Sequence, residues 1–214
     1  MARPKAVDYD DHRGRIQRIA VEEFARIGYP SASMANLAQA CGTSKAALYH
    51  YFASKEALLH EALDGYTQRL KRLVESECAR GLAPREELAA VVHALVAEYR
   101  TSQAYHAALL NDVKFLDTKQ RDQIRAQERD VVDAIARSLE RAYPQAVTRT
   151  NRSVVTMALL GMINFTFAWL RPDGPVSHDQ FADLVLDLWS QGLGGAQSPL
   201  LEGTASEQAV RVQG

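Results

Sequence analysis

The sequence contains little cysteine, with two residues in a chain of 214 and no metal-binding spacing between them. Cys41 and Cys78 both fall on apolar positions of predicted helices, which is typical of buried free thiols. This usage indicates a reducing compartment and argues against a secreted domain stabilised by disulfide bonds. We therefore expect a cytoplasmic protein with two free thiols.

Motifs of catalytic, metal and cofactor sites are also lacking. The sequence has no Gly-x-Ser-x-Gly turn, no phosphate-binding glycine loop, no His-Glu-x-x-His pair and none of the Glu-x-x-His pairs of di-iron helical bundles. His93 and His106 fall on different predicted helices, where a partly buried histidine is commoner than a metal ligand. We expect no enzyme, no metal and no cofactor. An all-helical enzyme is the alternative from a different class.

Long hydrophobic runs are scarce. No apolar segment of signal-peptide type stands at the N-terminus. The one long apolar stretch, residues 154–170, is about 17 residues long, at the lower limit for a membrane-spanning helix, and it contains Thr156, Asn164 and Thr166. We therefore expect no membrane partner, and a helix buried between protein surfaces.

The charge of the chain is unevenly distributed. The net charge is −1, which argues against a general coat for nucleic acid. Residues 1–55 nevertheless carry eight Lys and Arg against five Asp and Glu, a formal +3, so the remainder carries −4. A basic head on an acidic body suits a protein that docks on DNA with one end.

Helical periodicity covers most of the chain, and no segment is a convincing strand. The predicted fold is all-α with nine helices, at residues 13–28, 34–41, 45–52, 54–79, 84–99, 101–113, 117–143, 148–170 and 177–191. We expect a three-helix DNA-binding domain at 8–53, a helical effector-binding and dimerisation domain at 54–193, and a flexible tail at 194–214 that has little to bury.

Residues 34–52 have the layout of a helix-turn-helix. Gly42 ends one short helix and Ser44 can cap the next, whose residues are placed to enter the DNA major groove. Hydrogen-bond donors are crowded on and around this second helix, as expected for phosphate and base contacts. An ordinary helical hairpin is the alternative. The predicted DNA-binding residues are Ser33, Thr43, Ser44, Lys45, Ala46, Tyr49, His50, Tyr51 and Lys55; of these, Tyr49, Tyr51 and Lys55 are expected on phosphates.

The same segment resembles the signature of TetR-type transcriptional regulators. The matching residues are Leu37-Ala38, Cys41-Gly42-Thr43-Ser44, Leu48-Tyr49-His50-Tyr51-Phe52 and Lys55-Glu56-Ala57-Leu58. Cys41, Thr43 and Ala46 stand where the family more often has alanine, valine and glycine. Since all three are small, the fold is unaffected, whereas Ala46 lies on the face expected to approach bases. The resemblance implies a repressor that a small effector releases from its operator.

The last two predicted helices offer more apolar surface than one subunit readily covers. The resemblance implies that they pair in a homodimer on a palindromic operator, with double-stranded DNA as the partner. The alternative is that both helices are ordinary core. The expected interface residues are Val155, Leu159, Met162, Phe181, Leu184 and Leu188.

Aromatic and polar residues on the middle helices suggest a small-molecule pocket. The candidates are Tyr99, Tyr105, His106, Leu109, Asp112, Val113, Asn164, Phe165 and Trp169. The alternative is that these aromatic residues, which recur at helical spacing, belong to the hydrophobic core and line no pocket.

Three segments, at residues 110–116, 129–133 and 161–174, are also similar to regulators of phenylacetate degradation in the same family. That similarity implies phenylacetyl-coenzyme A or another aryl or acyl thioester as the effector. Its phosphates would need cations such as Lys114, Arg121 or Arg171.

Two other functions remain open at this point. A repressor of a multidrug efflux pump that responds to lipophilic cations would need several buried carboxylates, and Asp112 is the one obvious candidate. A DNA-binding protein without an effector, such as an architectural factor, does not account for the large apolar body.

Overall fold

The computed structural model describes residues 4–195, and every regular element within that range is helical. Nine α-helices of seven residues or more occur there in the predicted order, which confirms the all-α prediction. They are α1 Pro4–Ile27, α2 Met34–Ala40, α3 Lys45–Tyr51, α4 Lys55–Cys78, α5 Pro84–Thr101, α6 Gln103–Asp112, α7 Thr118–Ala142, α8 Arg152–Ile163 and α10 His178–Gly195, with the single turn α9 Thr166–Trp169 before the last. The predicted tail lies outside the described residues from 196 onward.

Local side-chain contacts explain where several helices begin. The Ser33 and Ser44 hydroxyls accept backbone N–H bonds three residues ahead, at 3.2 and 3.0 Å, and so cap α2 and α3. Ser177 and Gln180 form the predicted capping box at α10, with bonds of 2.9 and 3.1 Å. Gly42 has φ +64°, a conformation that favours glycine and ends α2.

The chain forms two compact units. One comprises Met1–Arg69 and Ser102–Glu128, and the other comprises Leu70–Thr101 and Arg129–Gly214. Helices α4 and α7 each run from the first unit into the second. The first unit contains α6 in addition to α1, α2 and α3, so its limits differ from those of the predicted DNA-binding domain at 8–53. The boundary between that domain and the helical body therefore remains a prediction.

The second unit contains the most apolar segment. The predicted helix at 148–170 is interrupted after Ile163, and α9 resumes at Thr166. Residues Arg152–Trp169 are long and apolar enough to cross a membrane, with a mean hydropathy of 1.2, but 33% of this window is buried within the protein. One such helix is weak evidence for a membrane, since core helices of soluble proteins have the same composition.

Candidate nucleic-acid interface and effector region

Helix α3 is held by one apolar anchor and exposes its other side. Leu48 is fully buried, as is Leu37 on α2, and the two short helices pack against each other. The positions around Leu48 that were predicted to meet DNA are turned outward. Ser33, Ser44, Lys45, Ala46, Tyr49 and His50 are exposed, and Thr43 is half-buried. The helix therefore presents a polar, positively charged face at its N-terminal end.

Lys55 has a different environment from the one that the sequence suggested. Its Nζ donates to the backbone oxygens of Tyr29 and Ala32, both at 2.8 Å, and lies 4.3 Å from the centre of the Tyr29 ring. Two of the three ammonium protons are thus used inside the protein. Lys55 therefore helps to fix the turn between α1 and α2, and the phosphate contact predicted for it stays a prediction.

Tyr49 and Tyr51 also differ in environment, although the sequence predicts a phosphate contact for both. Tyr49 is exposed, and the Lys45 ammonium lies 5.9 Å from its ring centre. Tyr51 is half-buried because its ring stacks on Tyr9 at 4.8 Å and contacts His12 at 5.4 Å. Tyr9 and His12 were missed because they precede the predicted start of α1 at residue 13, although their spacing of three residues is helical.

The predicted effector residues of α6 lie in the same unit as the recognition helix. His106 is buried, and its Nδ1 lies 3.2 Å from the Tyr66 hydroxyl. The Arg69 guanidinium lies 5.1 Å from the centre of the Tyr66 ring and 5.5 Å from that of Tyr105. Tyr66 and Arg69 were missed because α4 was interpreted as a connecting helix. Their spacing of three residues, which places them on one side of α4, could have indicated that they act together.

The end of α6 brings a carboxyl group beside the head. Asp112 is half-buried, and burial raises its pKa, although the charge of Lys114 opposes the shift. Burial, with the charges of Glu56 and Asp112, raises the pKa of Tyr29 to about 12. Phe115 stacks on Tyr29 with ring centres 5.0 Å apart. Of the other predicted residues here, Leu109 is buried and Val113 is half-buried.

The remaining predicted effector residues belong to the second unit. Tyr99 donates to Asn164 Oδ1 at 3.2 Å, and burial raises the pKa of its hydroxyl. Phe165 and Trp169, by contrast, are more than half exposed. These two rings are therefore part of the exposed apolar surface that also includes side chains of α8 and α10.

The predicted dimer residues divide between core and surface. Val155, Leu159 and Phe181 are buried within the subunit and Met162 is half-buried, and their place in a dimer interface stays a prediction. The exposed apolar side chains of this region, each 51–60% exposed, are Val154, Met157, Phe165, Trp169, Leu184 and Leu188. Residues 154, 157 and 161 follow helical spacing along α8, and a Cβ added at Gly161 would meet open space.

A cavity of about 480 Å³ opens in the second unit away from all predicted residues. Its lining includes Glu87, whose pKa is lowered because bonds to Arg141 and Ser138 outweigh its burial, and Cys78, whose thiol pKa is raised by burial. Within residues 4–195, no group of three His, Cys, Asp or Glu side chains is placed to hold a metal ion.

Two family models match the chain. One, described as bacterial regulatory proteins of the tetR family, matches residues 16–62, and the other, a tetracyclin repressor-like C-terminal domain, matches residues 81–193. They cover the helix-turn-helix and the greater part of the helical body.

Solved structures and curated relatives agree with these matches. A TetR-family regulator from Bordetella parapertussis is 33% identical with a TM-score of 0.79, over 83% of this chain and 93% of that one. The regulator AibR, in complex with isovaleryl coenzyme A and operator DNA, is 26% identical with a TM-score of 0.74, over 83% and 97%. The transcriptional repressor KstR2 of Rhodococcus jostii is 27% identical over 205 residues, 90% of this chain and 98% of the relative.

Proposed function

The chain belongs to the TetR family of bacterial regulatory proteins, and we propose that it is a dimeric repressor released from its operator by an acyl thioester. On this proposal the protein is a soluble cytoplasmic dimer that binds operator DNA and a small effector, as AibR binds operator DNA and isovaleryl coenzyme A. The observation that carries the proposal is the outward polar face of α3 around the buried anchor Leu48.

The DNA contacts are assigned by position along α3. Residues at the N-terminal end of a recognition helix contact base edges, so Thr43, Lys45 and Ala46 approach the bases, as does His50 one turn later. The exposed Tyr49 binds a phosphate. The capped N-terminus of α3 adds free backbone N–H groups and a partial positive charge on the same side.

The exposed apolar side chains of α8, α9 and α10 are assigned to the dimer interface. A contiguous apolar surface of this kind is rarely left in water by a monomeric protein. A symmetric pairing of the same surface on two subunits would cover it and place two recognition helices on a palindromic site.

The effector class is supported by α6 and by a relative. AibR is 26% identical and was solved with isovaleryl coenzyme A. In this chain, Tyr66, Tyr105 and His106 supply aromatic surface and hydrogen-bonding groups, and Arg69 supplies a cation for an anionic ligand. The relatives named above include no phenylacetate regulator, so phenylacetyl-coenzyme A is one member of the proposed class.

The test of DNA recognition is selection of binding sites from a random duplex library with the purified full chain. We expect a palindrome whose half-sites lie about one helical turn apart, bound by one dimer. Lys45→Ala should lower the affinity for the selected duplex more than for an unrelated duplex. Recovery of no preferred sequence by the wild-type protein would contradict the proposed function.

A further inference from the structure

We propose that His60 on α4 and Gln120 on α7 form a hydrogen bond in only one of the two arrangements of the repressor, the DNA-bound and the DNA-free arrangement. The pair is then a conformational switch within the compact unit that contains the recognition helix. This inference rests on the proposed operator binding and adds two residues that belong to neither the predicted DNA-binding set nor the predicted effector set.

The first step is that α4 and α7 lie side by side in this unit and are joined by polar side chains. Hydrogen bonds connect the two helices at three levels, each between residues 59–63 positions apart in the chain. The pairs are Glu56 with Asp117, Asp64 with Gln123 and Gln127, and Thr67 with Gln127. Because the separation in sequence hardly changes from level to level, the two helices run parallel and keep one register.

The second step places His60 and Gln120 at the level between the first and the second of these connections. His60 follows Glu56 by four residues, and Gln120 follows Asp117 by three. Residues three or four apart are neighbours on the same face of a helix, so both side chains belong to the polar stripe that joins α4 to α7. They are 60 positions apart, as the bonded pairs require, and therefore occupy the same level on facing helices.

The third step is that this level is not bonded in the present arrangement. His60 Nε2 and Gln120 Oε1 are buried atoms without a hydrogen-bond partner. A buried polar group of this kind has lost its contact with water and has gained nothing in return, which costs free energy. The two groups are complementary, because an imidazole N–H donates and an amide oxygen accepts. A helix shift of about 1–2 Å, which is typical of conformational switches, is enough to join such a pair.

The fourth step connects this level to the helix-turn-helix. Lys55, the first residue of α4, donates from Nζ to the backbone oxygens of Tyr29 and Ala32, both at 2.8 Å. These two residues lie in the turn that precedes α2, so the first turn of α4 is bonded to the segment that leads into the helix-turn-helix. A shift of α4 against α7 that joins His60 to Gln120 therefore also displaces this segment relative to α7.

The experiment is a double-mutant cycle on the affinity for the duplex that the wild-type protein selects. Operator Kd values are measured for the wild type, His60→Leu, Gln120→Met and the double variant. A bond present in only one arrangement should make the Kd of the double variant depart from the product of the two single effects, by about 2- to 10-fold per subunit. The control pairs His60→Leu with Gln145→Met, the same substitution at an exposed position of the other unit, and its two effects should multiply.

The cycle separates a switch from a pair that only supports the fold. A structural pair, bonded or bridged by water in both arrangements, changes the thermal stability of the variants but leaves their effects on operator Kd multiplicative. Multiplicative effects, with wild-type operator binding intact, therefore overturn this inference alone. Circular dichroism checks that each variant is folded, and His60→Ala replaces His60→Leu in the cycle if the latter does not fold. Failure of the wild-type protein to prefer any duplex overturns the proposed function.

Discussion

Lys45 and Lys55 carry the same charge at either end of the recognition segment, but their surroundings differ. Lys45 is exposed, whereas the Lys55 ammonium is bound to two backbone oxygens in the turn after α1. Hydrogen bonds to charged groups contribute more to stability than neutral ones, and exposed charges contribute little. The two lysines therefore separate DNA binding from stability of the head.

Lys55→Met should lower the free energy of unfolding by about 1–3 kcal/mol, because the carbonyl oxygens of Tyr29 and Ala32 lose their charged donor. Lys45→Met should change stability by less than about 0.5 kcal/mol but should reduce the slope of operator affinity against salt. Chemical denaturation and fluorescence anisotropy measure the two quantities. The reverse pattern would favour the phosphate contact that the sequence predicts for Lys55.

Asp112 gives a prediction about pH. Burial raises its pKa in the folded chain above the ordinary value of 3.8, so the folded state binds more protons than the unfolded state between the two values. The contribution of Asp112 to stability is therefore present below the ordinary value and is lost as pH rises through the raised one. Asp112→Asn should raise the Tm at pH 7, and this gain should vanish near pH 3.5. An equal gain at both pH values would contradict the role of burial.

At the scale of elements, α8 and α10 each carry a buried side and an exposed apolar side. The sequence predicts which helices are apolar, and of the residues predicted for the interface, Val155, Leu159 and Phe181 are buried within the subunit. The neighbouring Val154 and Met157 are exposed instead. Apolar composition alone cannot decide which of two adjacent apolar residues faces the core, because the answer depends on helices distant in sequence.

Leu184→Glu combined with Leu188→Glu should produce monomers that keep their helical content and lose tight operator binding. Placing unpaired charges in an apolar interface costs about 3 kcal/mol or more, roughly a 100-fold weaker dimer Kd. Sedimentation velocity at micromolar concentration and circular dichroism measure both effects. Thr150→Glu, which adds one charge at an exposed loop position, is the control and should remain dimeric. A monomeric wild-type protein would remove the dimer from the proposal.

The contact between Tyr29 and Phe115 joins the turn after α1 to the segment between α6 and α7. Backbone N–H of Asp117 also donates to Glu56 Oε1 at 3.0 Å, so this segment is bonded to the first turn of α4. A shift of α6 on effector binding would therefore reach the head through these contacts. Coupling of this kind requires that the effector binds the DNA-free arrangement of the protein more tightly than the DNA-bound one.

Phe115→Ala should leave operator affinity without effector nearly unchanged and should weaken the release caused by effector. The measurement is the ratio of operator Kd values with and without saturating thioester, which should fall toward one in the variant. Asn111→Ala, exposed on α6, is the control and should keep the wild-type ratio. An unchanged ratio in Phe115→Ala would place the coupling elsewhere.

Local signals account for what the sequence predicted well. Periodicity and caps predicted nine helices in the observed order, and Ser33, Ser44 and Ser177 begin helices as expected, whereas the start of α1 was predicted nine residues too late. The contacts that the sequence could not give join distant segments, as between Tyr9 and Tyr51 or Tyr66 and His106. The same holds for Asn164, at the break after α8. Its side-chain oxygen accepts a hydrogen bond from the hydroxyl of Tyr99, which lies 65 positions earlier in the chain.

At the scale of the whole molecule, the division into units groups the recognition helix with α6. Five predicted effector residues, from Tyr105 to Val113, therefore belong to the unit that contains the recognition helix, and residues 1–55, which carry the basic excess, belong to the same unit. A ligand that contacts α6 acts on the unit that contains the recognition helix. It releases DNA only if it binds the DNA-free state more tightly.

The most direct measurement is the affinity for the selected operator titrated in parallel with isovaleryl-coenzyme A, phenylacetyl-coenzyme A, the corresponding free acids and coenzyme A. A coupling free energy of about 1–3 kcal/mol predicts that at least one thioester weakens operator binding roughly 5–150-fold, while the acids and coenzyme A leave it unchanged. Release by a lipophilic cation with no response to any thioester would contradict the account and favour a repressor of drug efflux.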